Sequence, residues 1–154
     1  MEDFTARLTA LLAANPRIED NGCALVLAPH GVRPRWVPTT EPYTPTPEEV
    51  ERIYRLTLFI ERELPINPRG NLRVGSYNLK HVLEKTDWKE GPNTYVSNTE
   101  GMLAMMMCGY VPRWSKDPQD PNCVFSVRAK TYTNMAMSAY RRFNERRQRP
   151  NPPR

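Results

Sequence analysis

The chain has 154 residues, room for one domain with a real core, and its hydrophobic share of 39% is low without being that of a disordered segment. Its formal net charge is +5, no apolar run approaches the ~20 residues that cross a bilayer, and the acidic start Met1-Glu2-Asp3 lacks the basic segment and apolar run of a secretory signal. A membrane protein and a secreted one are excluded on this reading, and the expected location is intracellular.

Residues 3–14 read as a short helix, because Phe4, Leu8, Leu11 and Leu12 recur at helical spacing before Asn15-Pro16 stops it. Asn21-Gly22 is a turn signal, and the apolar run 23–28 is short enough for a buried strand. Six prolines between 29 and 47 forbid helix and disfavour a central strand, so this segment should run extended over the surface. It carries Arg33, Arg35, Trp36 and Tyr43. These four are either a stiff connector with Trp36 packed inward or an aromatic-and-Arg arm that docks on a partner.

The next helix has the strongest signals. Thr46 is an N-cap, Pro47 suits the first helical position, and Glu49 completes a capping box. It should run to about Leu64 as a central core helix, with Val50, Ile53, Tyr54, Thr57, Ile60 and Leu64 inward and Leu58 and Phe59 widening that face. Residues 72–74 form a short extended piece. Ser76 should cap a helix through about Lys85 that buries Leu79, Val82 and Leu83. A second capping box, Ser97 to Glu100, opens a helix over 99–108 that is apolar nearly all round, with Gly109 as its C-terminal stop. Its cluster Met102, Met105, Met106 and Met107 suits a core first and an oligomer contact second. Residues 113–122 read as a polar loop. The alternating stretch 123–127 reads as a strand able to pair with 23–28. A last helix, about 130–147, repeats Tyr132, Met135, Ala136, Ala139, Tyr140 and Phe143 at helical spacing.

The expected fold class is therefore mainly α (α+β), with about five helices around a central helix and a small antiparallel β-ribbon. Residues 1–149 make one helical domain, and 150–154 a flexible basic tail.

Charge is the most informative feature. The segment from residue 128 to 154 holds eight cations, Arg128, Lys130, Arg141, Arg142, Arg146, Arg147, Arg149 and Arg154, against one acid, Glu145. The other 127 residues hold 14 basic and 16 acidic side chains, so they are slightly negative. Cations at a helix C-terminus favour the macrodipole, but that accounts for two or so of them. Clustered Arg at an exposed helix end and tail is the footprint of a polyanion contact: guanidinium grips phosphate bidentately and stays charged.

Two short helices in tandem also raise a helix-turn-helix reader, in which Asn98 and Thr99 could touch a base. The ten-residue connection and the Met/Ala surface of the second helix speak for core packing instead. The pattern Ser76-Tyr77-Asn78-Leu79-Lys80-His81, followed by Tyr95-Val96-Ser97-Asn98 and an apolar helix ending Gly109-Tyr110, resembles a module in small uncharacterised proteins of DNA viruses and phages. The resemblance covers residues 76–110. It implies a viral or mobile-element source, and with it the host cytoplasm or nucleus or a virion as the location, and no particular activity.

Catalytic motifs are missing from the sequence: there is no P-loop, no GxGxxG and no GxSxG around Ser76. Ser76 with His81, or His30 near Cys23, are the only nucleophile–base pairings to weigh. Cys23, Cys108 and Cys123 are odd in number and far apart, and with His30 and His81 they do not make a zinc spacing. A reducing compartment, no metal and no cofactor are expected. Two functions follow from the residues. One is a small non-catalytic nucleic-acid-binding protein that contacts phosphates through its C-terminal cations. The other is a structural or assembly protein, such as a minor virion or scaffold component, that uses the Pro-rich arm and basic tail to dock an acidic protein surface, virion neighbours or its own copies.

Overall fold

The ten residues Asn98–Met107 (α4) are the pivot of the architecture, as the computed structural model shows. The structure describes residues 1–15, 18, 24–26, 35–37, 43–67, 69–89, 95–117, 120 and 122–148, with backbone alone for 24–26, 35–37 and 146–148. Every α4 side chain from Thr99 to Met107 is buried. Its start is the expected reciprocal box: Ser97 Oγ accepts the Glu100 N–H (3.1 Å), and Glu100 Oε2 accepts the Ser97 N–H (2.8 Å). Its end is a Schellman turn. Gly109 takes φ +89°, its N–H donates to Met106 O, and Tyr110 N–H donates to Met105 O. Only glycine adopts that φ without strain.

Around α4 pack Glu2–Ala14 (α1), Pro47–Glu63 (α2) and Ser76–Leu83 (α3). The helix α2 has its full capping box at Thr46 and Glu49. It lies beside the centre and is buried on one face only, through Ile53, Leu56, Thr57, Phe59 and Ile60. Leu58, expected inside, is about half exposed, whereas Leu56 is fully buried. The reason is angular: two residues along a helix turn a side chain by ~200°, so Leu58 cannot share a face with Leu56 and Ile60. The methionines of α4 are all buried, which makes them core.

Glu100, the capping-box carboxylate in the first turn of α4, is itself only 1% exposed, and Arg52 of α2 holds its other oxygen (Nε to Oε1, 2.6 Å). One side chain thus closes a helix terminus and ties two core helices. Tyr110 seals the far end of α2. Its hydroxyl donates to Leu64 O (2.9 Å), and burial pushes its phenol up to about 12.

The strands Leu72–Gly75 (β3), Arg113–Trp114 (β4) and Cys123–Val127 (β5) form an antiparallel sheet in the order β3-β5-β4. Leu72 pairs with Val127 and Gly75 with Val124, while Arg113 pairs with Val124. On β5, Cys123, Phe125 and Val127 point into the core. The expected pairing of 23–28 with 123–127 does not occur. Both edges of β5 are taken by segments close to it in the chain or the fold, and part of the supposed polar loop 113–122 supplies one of them. Ala24–Val26 (β1) pairs instead with Arg35–Val37 (β2), with Leu25 opposite Trp36. The proline-rich segment therefore holds a strand, between Pro34 and Pro38, where a two-stranded ribbon has edges that tolerate flanking prolines.

Ala129–Gln148 (α5) follows β5 directly. The Asn71 side chain accepts the Ala129 N–H (3.0 Å), and Asn71 N–H donates to Val127 O (3.0 Å). The same loop residue therefore fixes the last strand and the first turn of the last helix. Gly70 permits this approach, since a Cβ there would sit 2.7 Å from Ser126 O. No described helix is long and apolar enough to cross a membrane.

Candidate nucleic-acid interface

The helix α5 is held by a narrow stripe. Met135 and Ala139 are buried, and Tyr132, Ala136 and Phe143 are partly so. Met135, Ala139 and Arg142 meet Phe59 and Glu63 of α2 and Thr86 and Asp87 after α3 in a small cleft. The rest of the helix faces outward. Lys130 and Arg141 are exposed and, eleven residues apart, return to within ~20° of the same face about 16 Å apart along the axis. Arg128 is exposed just before the helix. None of the three makes an ion pair among the described residues.

Arg142 departs from the expected set of outward cations. Its Nη1 sits 2.5 Å from Asp87 Oδ2, both groups being less than half exposed. A pair this open to solvent contributes at most ~1 kcal/mol and can exchange Asp87 for phosphate, but it removes one net charge from the helix end at rest. Arg146 and Arg147 lie on the α5 backbone, with side chains outside the described residues, as are Arg149 and Arg154 entirely.

The residues offered for base contact do not face outward. Thr99 is 1% exposed, and Asn98 is half-buried with its Nδ2 donating to Asn122 Oδ1 (3.3 Å). A helix whose first turn is spent on its own core cannot enter a major groove. Of the docking candidates, Tyr43 is 7% exposed and part of the core. Arg33 lies outside the described residues, and for Arg35 and Trp36 only the strand backbone is described.

Beside the basic end of α5 lies a surface the sequence reading missed. On α3, Tyr77, Lys80, His81, Glu84 and Lys85 follow helical spacing along one side of the helix and its last turn. Tyr77 is 55% exposed, Tyr95 60% and Tyr140 47%. The ammonium of Lys80 lies 5.0 Å from the centroid of Tyr95 and 5.7 Å from that of Tyr77. Tyr77 meets His81 edge-on at 4.6 Å. Lys85 donates to His81 O (2.7 Å) and lies 5.0 Å from the centroid of Tyr140 and 5.7 Å from Phe143. A strip of alternating rings and cations thus runs from Tyr95 across α3 to Tyr140, the residue before Arg141. Cation–π contact and hydrogen bonding hold these side chains in place before any ligand arrives.

Glu84 sits beneath the strip. It accepts from Lys80 Nζ (3.3 Å) and lies 2.8 Å from His81 Nδ1. Partial burial works against its charge, but the His81 hydrogen bond and the Lys80 charge and hydrogen bond outweigh it, so its pKa lies below the ordinary carboxylate value. Lys80 also donates to Val96 O (3.4 Å) and is largely buried, which makes it a support for the rings and not a free cation.

The Ser76–His81 pairing does not assemble. Ser76 is buried, donates to Asn122 Oδ1 (3.4 Å) and accepts the Cys123 N–H (3.3 Å). His81 is engaged by Glu84 instead. Ser76 is also not the cap expected of it: Gly75 holds the N-cap position of α3, and Ser76 opens the helix. His30 and Cys23 lie outside the described residues. The Cys108 thiol donates to Thr57 O (3.5 Å), and burial, with the nearby Glu61 charge, pushes it up to about 12, so it is no thiolate at neutral pH. Among the described residues no three His, Cys, Asp or Glu side chains converge as metal ligands do. An open cleft of about 460 Å³ at the start of α2 is lined by Glu48, Glu51, Arg52, Arg55 and Lys89. Arg55 is paired with Glu51 and Arg52 with Glu100 there.

Comparison of the chain with protein-family models, with curated proteins and with solved structures gave no match.

Proposed function

We propose that this chain is a small non-catalytic nucleic-acid-binding protein, of viral or mobile-element origin, that contacts phosphates through the outer face and end of α5 and the basic tail. The observation that carries the reading is the segregation of charge. Eight of the 22 cations stand in the last 27 residues against a single acid, on a helix anchored by a narrow stripe that leaves Lys130 and Arg141 outward. Binding of this kind comes from counterion release and is largely independent of sequence. The inward-facing start of α4 supports that independence.

Titrating a labelled duplex at ~50 and ~200 mM salt tests it. Neutralising about five phosphates gives a log–log slope of roughly −4 to −5. Binding that ignores salt, or no binding at all, overturns the proposal. The second result would move the cationic end to the assembly reading, with an acidic protein surface as its target.

A further inference from the structure

We infer that the strip formed by Tyr95, Tyr77 and Tyr140 is a stacking platform for the bases of single-stranded nucleic acid. The inference rests on the phosphate-binding reading of α5 and narrows its ligand from any polyanion to an unpaired strand.

Three observations carry it. First, three tyrosines keep about half or more of their surface in solvent (55%, 60% and 47%), although each lies beside buried core that could have covered it. Second, each ring is braced by a neighbouring side chain. Lys80 lies against two of them and Lys85 against the third, while His81 meets Tyr77 edge-on. Braced rings lose little side-chain entropy when a base stacks on them. Third, the strip reaches the cationic end of α5, since Tyr140 directly precedes Arg141 on that helix. A single strand has what this surface fits: flat bases along one edge and phosphates along the other. A duplex hides its bases and could use only the cations. Stacking on aromatic faces tolerates any sequence, in keeping with the inward-facing start of α4. A protein partner is less well matched, because the rings are interleaved with ammonium groups and do not form one continuous apolar patch.

The experiment uses the full chain and three labelled probes of about a dozen residues: a thymidine oligonucleotide, an abasic strand of equal phosphate number, and a duplex. The strip predicts that the thymidine strand binds more tightly than the abasic one. The paired substitution Tyr77→Ala and Tyr95→Ala should weaken the thymidine strand by about 10- to 100-fold and leave abasic and duplex affinity within about twofold. Tyr77→Phe with Tyr95→Phe should keep the affinity, because the ring faces remain, and an unchanged unfolding midpoint for all variants excludes a folding effect.

Equal binding of thymidine and abasic strands, with normal salt dependence, overturns the platform while phosphate binding by α5 stands. A base preference that survives the alanine pair overturns the assignment to these rings. Failure of every probe to bind overturns both readings and gives the exposed tyrosines to a protein partner.

Discussion

Helices α4 and α5 are built from the same kinds of signal and end up with opposite roles. The helix α4 is ten residues long, capped at both ends by its own sequence, and buried on every side from Thr99 to Met107. The helix α5 is twice as long, is started by a side chain from a distant loop, and among its described side chains buries only Met135 and Ala139 outright. A helix apolar all round has no surface to offer a ligand. A helix held by a stripe can vary the rest of its circumference freely, and here its two ends carry the cations. The contrast shows where changes should cost stability and where they should cost binding.

The largest effect should come from α4. Leu103→Ala empties a fully buried site and should destabilise the fold by about 2–5 kcal/mol in a urea titration. A change under ~1 kcal/mol would mean that α4 is not the centre of the core. Arg52→Ala comes next. It leaves the buried Glu100 carboxylate without its guanidinium, and with Arg52 itself partly exposed the expected cost is about 2–3 kcal/mol. Glu100→Gln with Arg52→Met should recover part of that loss, because no charge then stays buried.

A smaller effect is expected from acid. The pKa of Glu84 is lowered in the folded chain, so its contribution is complete above the ordinary carboxylate value of 4.5 and is lost as pH falls through the lowered one. Unfolding midpoints taken from pH 6 down to pH 3 should fall less steeply for Glu84→Gln than for the parent chain. At the small end stands Asp87→Asn. It releases Arg142 from its only ion pair among the described residues, should shift stability by less than ~1 kcal/mol, and should tighten phosphate binding a few-fold. A weaker complex would mean that Arg142 takes no part.

Much of the fold was legible in the sequence wherever the signal is local. Both capping boxes, the glycine stop at 109 and the period of α5 each lie within a few consecutive residues. What was lost depends on tertiary placement. The two-residue strand β4 has no periodicity to read, and its pairing with β5 is decided by the whole sheet. Leu58 was misplaced because an apolar side chain on a helix is not inward unless its angle agrees. For the candidate site, the excess of cations was plain, but the Arg142–Asp87 pair joins residues more than fifty positions apart and leaves no trace in spacing. The aromatic strip was legible only on α3. Tyr95 and Tyr140 join it through two ammonium groups whose positions come from packing.

The most direct measurement pairs salt dependence with stability in one variant, Arg141, Arg146, Arg147 and Arg149 all changed to Gln in the full chain. Glutamine keeps helix propensity, so the fold should be retained. The account predicts an unfolding midpoint close to the parent's and a salt slope for duplex binding that is smaller in magnitude by about 3 to 4, toward zero. A slope that stays near the parent's, with the fold intact, would contradict it.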